Sequence, residues 1–323
     1  MNIKETLLWA TKILKKKKIQ PPTLDAEILL AFAIKKPKEY LFTYPEKELK
    51  NLEIKNFKKL INRRARHEPV AYITGHKEFF GLDFIVNKNV LIPRPETELL
   101  VEEALQYAID YKPSAIIDIG TGSGAIIVSL AGSLPLPEGE VRRGWERPKL
   151  IAIDTSSRSL KIAKQNAKSN LRTNPPYPPL TRGHEIARPL LLEGQNKITF
   201  LHGNLIEPLL NQKKENKNLN LIILANLPYL TTKEWQKCQP EIKKYEPRLA
   251  LDGGPDGLKY YRELFKQIND LCQSAQNPRL SAFLEIGYNQ AKAIKKLAKK
   301  YLPEYKVEIK KDLAGFDRLA IIK

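Results

Sequence analysis

Long apolar runs are missing from this 323-residue chain. No stretch approaches the ~18 consecutive apolar residues of a membrane span, so no membrane association is expected. Cysteine is scarce. Cys238 and Cys272 stand alone, without metal-ligand spacing, and both read as reduced thiols rather than as a disulfide or zinc framework. His67 and His76 have no partner at metal-ligand spacing either, and read as surface or packing side chains, so no metal is expected. The N-terminus, MNIKETLLWATKILKKKKI, lacks a small-residue cleavage site and carries charges inside its apolar stretch. It reads as an amphipathic helix rather than a secretion signal, and a cytoplasmic protein is expected. Acid is in deficit: 36 Asp and Glu against 55 Lys and Arg leave a net charge of +19. That charge suits a surface facing nucleic acid or the ribosome. The lysines are dispersed, however, in Lys15–Lys18, Lys213-Lys214, Lys243-Lys244 and Lys295-Lys296. No stretch interleaves basic and aromatic residues as a stacking platform for nucleic acid does. A lysine-rich genome is the plainer explanation, and no specific nucleic-acid partner is expected.

What is present begins with helix. Residues 1–75 read as a small helical bundle without a catalytic constellation, suited to packing or partner recognition. Ile3, Leu7, Thr11 and Leu14 line one face of its first helix. Pro21-Pro22 opens a second, Leu24 to Ile34, apolar nearly all round and therefore expected to be buried on several sides. A third passes through Tyr40-Leu41-Phe42, and a longer one starts at Glu46 and carries Leu49, Leu52, Phe57, Leu60 and Ile61. Residues 76–92 read as a hairpin linker, from the partial alternation in Glu78–Val86. Pro93-Arg94-Pro95-Glu96-Thr97-Glu98 places acids at the start of a helix Leu99 to Tyr107, where the helix dipole favours them.

From residue 93 to 323 the pattern becomes α/β. Ala115–Asp118 reads as a buried strand that turns through Gly120-Thr121-Gly122-Ser123-Gly124 into an apolar helix, Ala125 to Ala131. The spacing G-x-G-x-G is neither the dinucleotide fingerprint nor a P-loop. Close-approach glycines without phosphate-cradling chemistry suit a nucleoside cofactor that carries no phosphates. A second strand, Leu150–Ile153, ends in Asp154, an acid placed for ribose hydroxyls. Further strands are expected at Ile198–Leu201, Leu221–Ala225 and Ala282–Gly287, with an antiparallel edge pair at Tyr305–Ile309 and Arg318–Ile322. Two stretches break the pattern. Residues 133–148 and 171–196 hold 8 of the 23 prolines in 42 of the 323 residues, and read as insertions that loop out. The first of them places Asp154 further from the glycine turn than the usual ~20 residues.

The chemistry centres on Leu221–Leu230, LIILANLPYL. Five continuous apolar residues make a buried parallel strand, and Pro228 stops the pairing beyond it. Ligands in open α/β sheets sit past the carboxyl ends of the strands, where Asn226-Leu227-Pro228-Tyr229 falls. An amide or exocyclic amine is a poor nucleophile, because its lone pair is delocalised. The Asn226 side-chain oxygen and the Leu227 carbonyl can accept both of its N–H bonds and aim the nitrogen at a methyl donor, with Tyr229 stacked on the planar group. The plainer alternative is a strand ending in an ordinary turn. Asn174-Pro175-Pro176-Tyr177 spells a similar tetrad, but it follows a helix and sits in the second insertion. With no strand to fix it, Asn174 is set aside in favour of Asn226.

With EPVAYITG at 68–75, EFFGLDF at 78–84, LIPRPETELLVE at 91–102 and DIGTGSGAI at 118–126, the chain resembles the N5-glutamine methyltransferases of peptide chain release factors (PrmC/HemK). The resemblance spans nearly the whole chain apart from the insertions. It implies an N-terminal helical bundle for substrate recognition and a seven-stranded, Rossmann-like domain dependent on S-adenosyl-L-methionine. It implies cofactor binding by Gly120, Thr121, Gly122, Ser123, Gly124, Asp154 and Asn226, with Asn204-Leu205 at the adenine. It implies a catalytic tetrad of Asn226, Leu227, Pro228 and Tyr229. The implied activity is methyl transfer to the glutamine of the release-factor Gly-Gly-Gln motif, with work close to the ribosome. Two departures stand out. The family usually has proline at Leu227 and aspartate at Asn204. The alternatives are methylation of a ribosomal-protein glutamine or of DNA adenine, or an inactive basic protein that binds ribosomes.

Overall fold

The computed structural model describes residues 1–134, 147–172, 197–210, 220–274 and 279–323. The insertions, apart from their ends, lie outside the described residues, as do Asn174 and the lysine-rich 213–218. Two compact units form: residues 1–76 with 238–246, and residues 77–237 with 247–323.

The first unit contains α1 (Ile3–Lys16), α2 (Pro22–Ile34), α3 (Glu39–Thr43), α4 (Asn51–Arg64) and α5 (Val70–Thr74). Asn2 caps α1: its Oδ1 accepts from the Glu5 N–H at 2.8 Å, and Glu5 accepts in return from the Asn2 N–H at 3.1 Å. The buried face of α1 is Ile3, Thr6, Ala10 and Leu14, so Leu7 and Thr11 lie at its margin rather than at its centre. α4 begins at Asn51 and not at Glu46. Residues before it run extended beside the N-terminus, the Lys47 carbonyl accepting from the Ile3 N–H at 3.1 Å and Leu49 N–H donating to the Met1 carbonyl at 3.2 Å. The first of those bonds satisfies an N–H at the start of α1 that has no intrahelical acceptor. α2 differs from expectation as well. It buries Ala26, Leu29, Leu30 and Ala31, yet leaves Leu24 40% and Phe32 46% exposed. Its packing partners in the unit, α1, α3, α4 and α5, cover only part of its circumference.

Charge holds this unit at one buried point. Arg64, 4% exposed, donates to Asp25 at 2.6 Å and to Glu241 at 2.7 Å. Glu241 belongs to the helix Pro240–Tyr245, which completes the unit from far along the chain. Burial raises the Asp25 carboxyl above its ordinary range, and the Arg64 guanidinium opposes that rise.

β1 (His76–Phe79) and β2 (Leu82–Ile85) form the hairpin expected from the sequence. The rest of the chain supplies α6 (Glu98–Tyr111), β3 (Ala115–Ile119), α7 (Ala125–Ser133), β4 (Lys149–Asp154), α8 (Ser157–Arg172), β5 (Ile198–His202), α9 (Glu207–Leu210), β6 (Asn220–Ala225) and α10 (Thr232–Lys237). The helix Pro240–Tyr245 is α11, followed by α12 (Lys259–Ser274), β7 (Arg279–Glu285), α13 (Ala291–Tyr301), β8 (Val307–Lys311) and β9 (Asp317–Ile322). Seven strands make one sheet in the order β5-β4-β3-β6-β7-β9-β8. The first five are parallel, and β9 runs antiparallel between β7 and β8. Tyr261, Leu264, Phe265 and Ile268 of α12, all fully buried, pack with Ile294 and Ala298 of α13 on one face of the sheet. The helices α6, α7 and α8 stack in a row against the strands and each other.

Register places the site. Ile119 pairs with both Ile153 and Ala225, and Ala225 pairs with Leu284. The next residue along each strand is therefore Gly120, Asp154, Asn226 or Glu285, four neighbours on the carboxyl edge at ~4.8 Å spacing. Chain order reverses between β3 and β6, the switch point where α/β sheets bind ligands.

Candidate active site

The glycine turn is shaped by left-handed backbone: φ is +67° at Gly120, +56° at Gly122 and +81° at Gly124. The three glycines serve different ends. A Cβ on Gly124 would come within 3.1 Å of the Ala163 Cβ, so this glycine lets α7 approach α8. A Cβ on Gly120 would meet nothing within 4 Å, and one on Gly122 only the Gly120 carbonyl at 3.8 Å. Those two glycines border open space, a cradle for a closely approaching ligand.

Around the turn, polar side chains are committed to holding it. Thr121 donates its hydroxyl to Asp118 at 2.6 Å, and the Ser123 carbonyl accepts from Asn166 at 2.8 Å. Thr121 and Ser123 are buried, at 6% and 3% exposure, and so is Gly124, so of the five turn residues Gly120 and Gly122 supply the accessible backbone. Burial pushes the Asp118 carboxyl up to about 7, against the Thr121 hydrogen bond. Asp154 accepts from the Gly122 N–H at 2.9 Å and the Ser156 N–H at 2.8 Å. Each carboxylate oxygen has a second lone pair, which leaves capacity for hydroxyl donors. Beyond β5, Asn204 donates its Nδ2 to Glu263 of α12, which directs its Oδ1 to other donors. Leu205 adopts φ +51° and buries its side chain in the core, so any ligand contact it makes is through main chain.

The Asn226 tetrad is held from three directions. Asn226 Nδ2 donates to the Thr97 hydroxyl at 3.1 Å, and that hydroxyl donates to Glu285 Oε2 at 2.6 Å. Tyr229 donates its hydroxyl to Glu285 Oε1 at 3.5 Å, while its carbonyl accepts from Gln290 Nε2 at 2.9 Å. Leu230 exchanges backbone hydrogen bonds with the loop before α12, to the Leu251 carbonyl at 3.1 Å and from the Gly253 N–H at 2.8 Å. That loop lies too close for side chains: a Cβ on Gly253 would be 2.5 Å from the Pro228 carbonyl, and one on Gly257 2.3 Å from the Tyr229 carbonyl. Burial, followed by the nearby Glu285 charge, raises the Tyr229 phenol above its ordinary value. Burial likewise pushes the Glu285 carboxyl up to about 7.

Known proteins have similar sequences. Residues 5–75 match the family model described as PrmC N-terminal domain. The release factor glutamine methyltransferase of Geobacter sulfurreducens is 32% identical, over 91% of this chain and 87% of that one. That of Moorella thermoacetica is 34% identical, over 98% and 97% respectively. The chain belongs to the release factor glutamine methyltransferase family. A solved structure, the release factor-specific protein-(glutamine-N5) methyltransferase of Alicyclobacillus acidocaldarius, is 25% identical over 74% of this chain and 98% of that one, with a TM-score of 0.37. The long sequence matches decide the family.

Leu227 stands where the sequence resemblance leads one to expect proline. Its side chain is 3% exposed and sits in the sheet core with Ile119, Ala225 and Leu284. Packing thus restrains a backbone that no proline ring locks. Three residues of the candidate site were not singled out by the sequence: Thr97, Glu285 and Gln290. Thr97 read as part of a helix start, and instead lies in a short 3-10 turn, Pro95–Thr97, pointing its hydroxyl into the site. The signal for Glu285 was available. Three apolar stretches, LIAID, LIILAN and AFLE, each end in one polar residue, Asp154, Asn226 and Glu285.

Proposed function

We propose that this methyltransferase moves the methyl group of S-adenosyl-L-methionine to the side-chain nitrogen of the glutamine in the release-factor Gly-Gly-Gln motif. The observation that carries the reading is the Asn226 amide, anchored through Nδ2 and set on the strand edge beside the glycine turn. The open space at Gly120 and Gly122, the acid at Asp154 and the acceptor at Asn204 fit the parts of the cofactor: a methionine chain, ribose hydroxyls and an adenine amine. When bound, that cofactor supplies a methyl group on a positively charged sulfur.

The chain's own residues then have two tasks. Asn226 Oδ1 and the Leu227 carbonyl accept the two N–H bonds of the glutamine amide, and Tyr229 bounds the planar slot. This geometry fixes the direction of the nitrogen lone pair and stabilises the positive charge that grows on nitrogen during transfer. A nitrogen carrying that charge sheds its proton readily, so no strong general base is needed. The helical unit would serve to dock the release factor, in the cytoplasm and close to the ribosome. Among the described residues, no helix is long and apolar enough to cross a membrane.

The test offers cofactor with a tritiated methyl group to release factor, ribosomal protein and duplex DNA. Label in release factor alone is expected. Label in DNA would move the assignment to adenine, and no label in any acceptor would leave a binding protein without this activity.

A further inference from the structure

An amide at position 226 has a direction problem that the tetrad alone does not solve. Its Oδ1 can accept from the substrate, but its Nδ2 cannot, and the two ends are nearly the same size. Turned the wrong way, Nδ2 would oppose a substrate N–H, donor against donor. The polarity must come from whatever Asn226 bonds behind it. Behind it stands the hydroxyl of Thr97, 4% exposed, and behind that the carboxyl of Glu285, 2% exposed.

We propose that Thr97 and Glu285 are positioning residues that fix the direction of the Asn226 amide, so that Oδ1 faces the substrate nitrogen. The inference rests on the site reading given above and extends it to residues that do not touch substrate. A carboxylate can only accept hydrogen bonds. At 2.6 Å it therefore claims the single proton of the Thr97 hydroxyl. A hydroxyl whose proton is spent can only accept from its other neighbour, and at 3.1 Å it selects Nδ2 of Asn226 over Oδ1. One negative charge thus sets the sense of two hydrogen bonds in series. Protonated Glu285 removes the constraint: it can donate to Thr97, whose own proton is then free to turn toward Asn226 and accept the opposite amide orientation.

The groups around Glu285 fit this assignment. Tyr229 donates toward its other oxygen, and the Arg318 charge from β9 favours the ionised form. Glu96 in the turn before α6 opposes it, and Tyr261 of α12 is occupied with the Glu285 main-chain carbonyl at 2.6 Å. Burial is the largest influence, and it sets the titration at about 7. The relay is therefore directed above neutral pH and loses its direction as the pH falls through neutrality.

Methyl transfer to release factor is measured with the full chain at saturating cofactor, so that weaker cofactor binding on titration of the glycine-turn carboxyls does not lower the rate. Thr97→Val should lower kcat about 100-fold while cofactor affinity stays within about twofold, and Thr97→Ser should recover to within about fivefold of the parent. In an Asn226→Ala background, adding Thr97→Val should change the rate by less than about twofold, because the group it orients is gone. Glu285→Gln should lose the fall in rate that the parent shows below about pH 7. If Thr97→Val does not fold, Thr97→Ser and the Glu285→Gln pH profile carry the test. Equal losses from Thr97→Val in both backgrounds would mean general support and overturn the relay, as would an unchanged acid limb in Glu285→Gln. A parental rate in Asn226→Ala overturns the site itself together with the relay. Loss in Asn226→Ala with a parental rate in Thr97→Val overturns the relay alone.

Discussion

Replacing Glu285 by glutamine should make this protein more stable and less active, and the size of the first effect follows from the structure. The carboxyl is 2% exposed, and burial carries its titration from 4.5 to about 7. A folded state that holds a proton more tightly than the unfolded chain is favoured at low pH. The advantage is fully present below about 4.5, declines as the pH rises, and is gone above about 7. At about 1.4 kcal/mol for each pH unit of displacement, ionising Glu285 inside the fold costs ~3 kcal/mol at pH 8. Glutamine keeps the shape and can still pair with Thr97 and Tyr229, yet has no charge to bury. Urea unfolding of both proteins at pH 5 and pH 8 measures this directly. The variant is expected to match the parent within about 1 kcal/mol at pH 5, and to exceed it at pH 8 by ~1 to 3 kcal/mol. Asp118, also raised to about 7, titrates in both proteins and leaves a common slope. A variant weaker than the parent by the same amount at both pH values would refute the reasoning, since the carboxylate would then be a net asset to the fold.

Other outcomes follow from single contacts. Asn226→Ala should lower turnover by two or more orders of magnitude with cofactor affinity little changed, whereas Asn174→Ala should do nothing; steady-state kinetics with calorimetric cofactor binding distinguishes the two. Gly257→Ala sets a methyl 2.3 Å from the Tyr229 carbonyl and should cut methyl transfer at least about tenfold, while Gly315→Ala, with the same left-handed backbone but nothing within 4 Å, should leave it within about twofold. Arg64→Ala strands Asp25 and Glu241 and should destabilise the helical unit by ~3 to 5 kcal/mol, visible as an earlier loss of protection in hydrogen exchange over residues 1–76 and 238–246.

Where local pattern and tertiary demand agree, the sequence was readable. Leu221–Ala225 is a buried parallel strand because five apolar residues in a row satisfy both faces of a covered sheet, and the residues after it fall on the carboxyl edge for the same reason. The α12 face of Tyr261, Leu264, Phe265 and Ile268 was legible from its period. Errors arose where a competing bond or a missing neighbour decided the outcome. Residues 46–50 had helical spacing but were drawn into pairing with the N-terminus, and α2 had apolar residues to spare for partners that its unit does not supply. In the site, residues that act through another group carry little signal of their own. Thr97 is an ordinary residue in a helix-start pattern until its hydroxyl is found between an amide and a carboxylate separated from it by 129 and 188 positions. Nothing local marks Pro240–Tyr245 as part of the helical unit either; its anchors there, Glu241 on Arg64 and the Tyr245 hydroxyl on the Arg66 carbonyl, join positions 177 and 179 apart.

The most direct test of the central claim is to locate the methyl group. Release factor incubated with S-adenosyl-L-methionine and the full chain, or with its Asn226→Ala variant, is digested and its Gly-Gly-Gln peptide sequenced by mass spectrometry. The parent should add one methyl group to the side-chain nitrogen of that glutamine, and Asn226→Ala should leave the peptide almost unmodified in the same time. A methyl group on another residue, or equal modification by both proteins, would contradict the account.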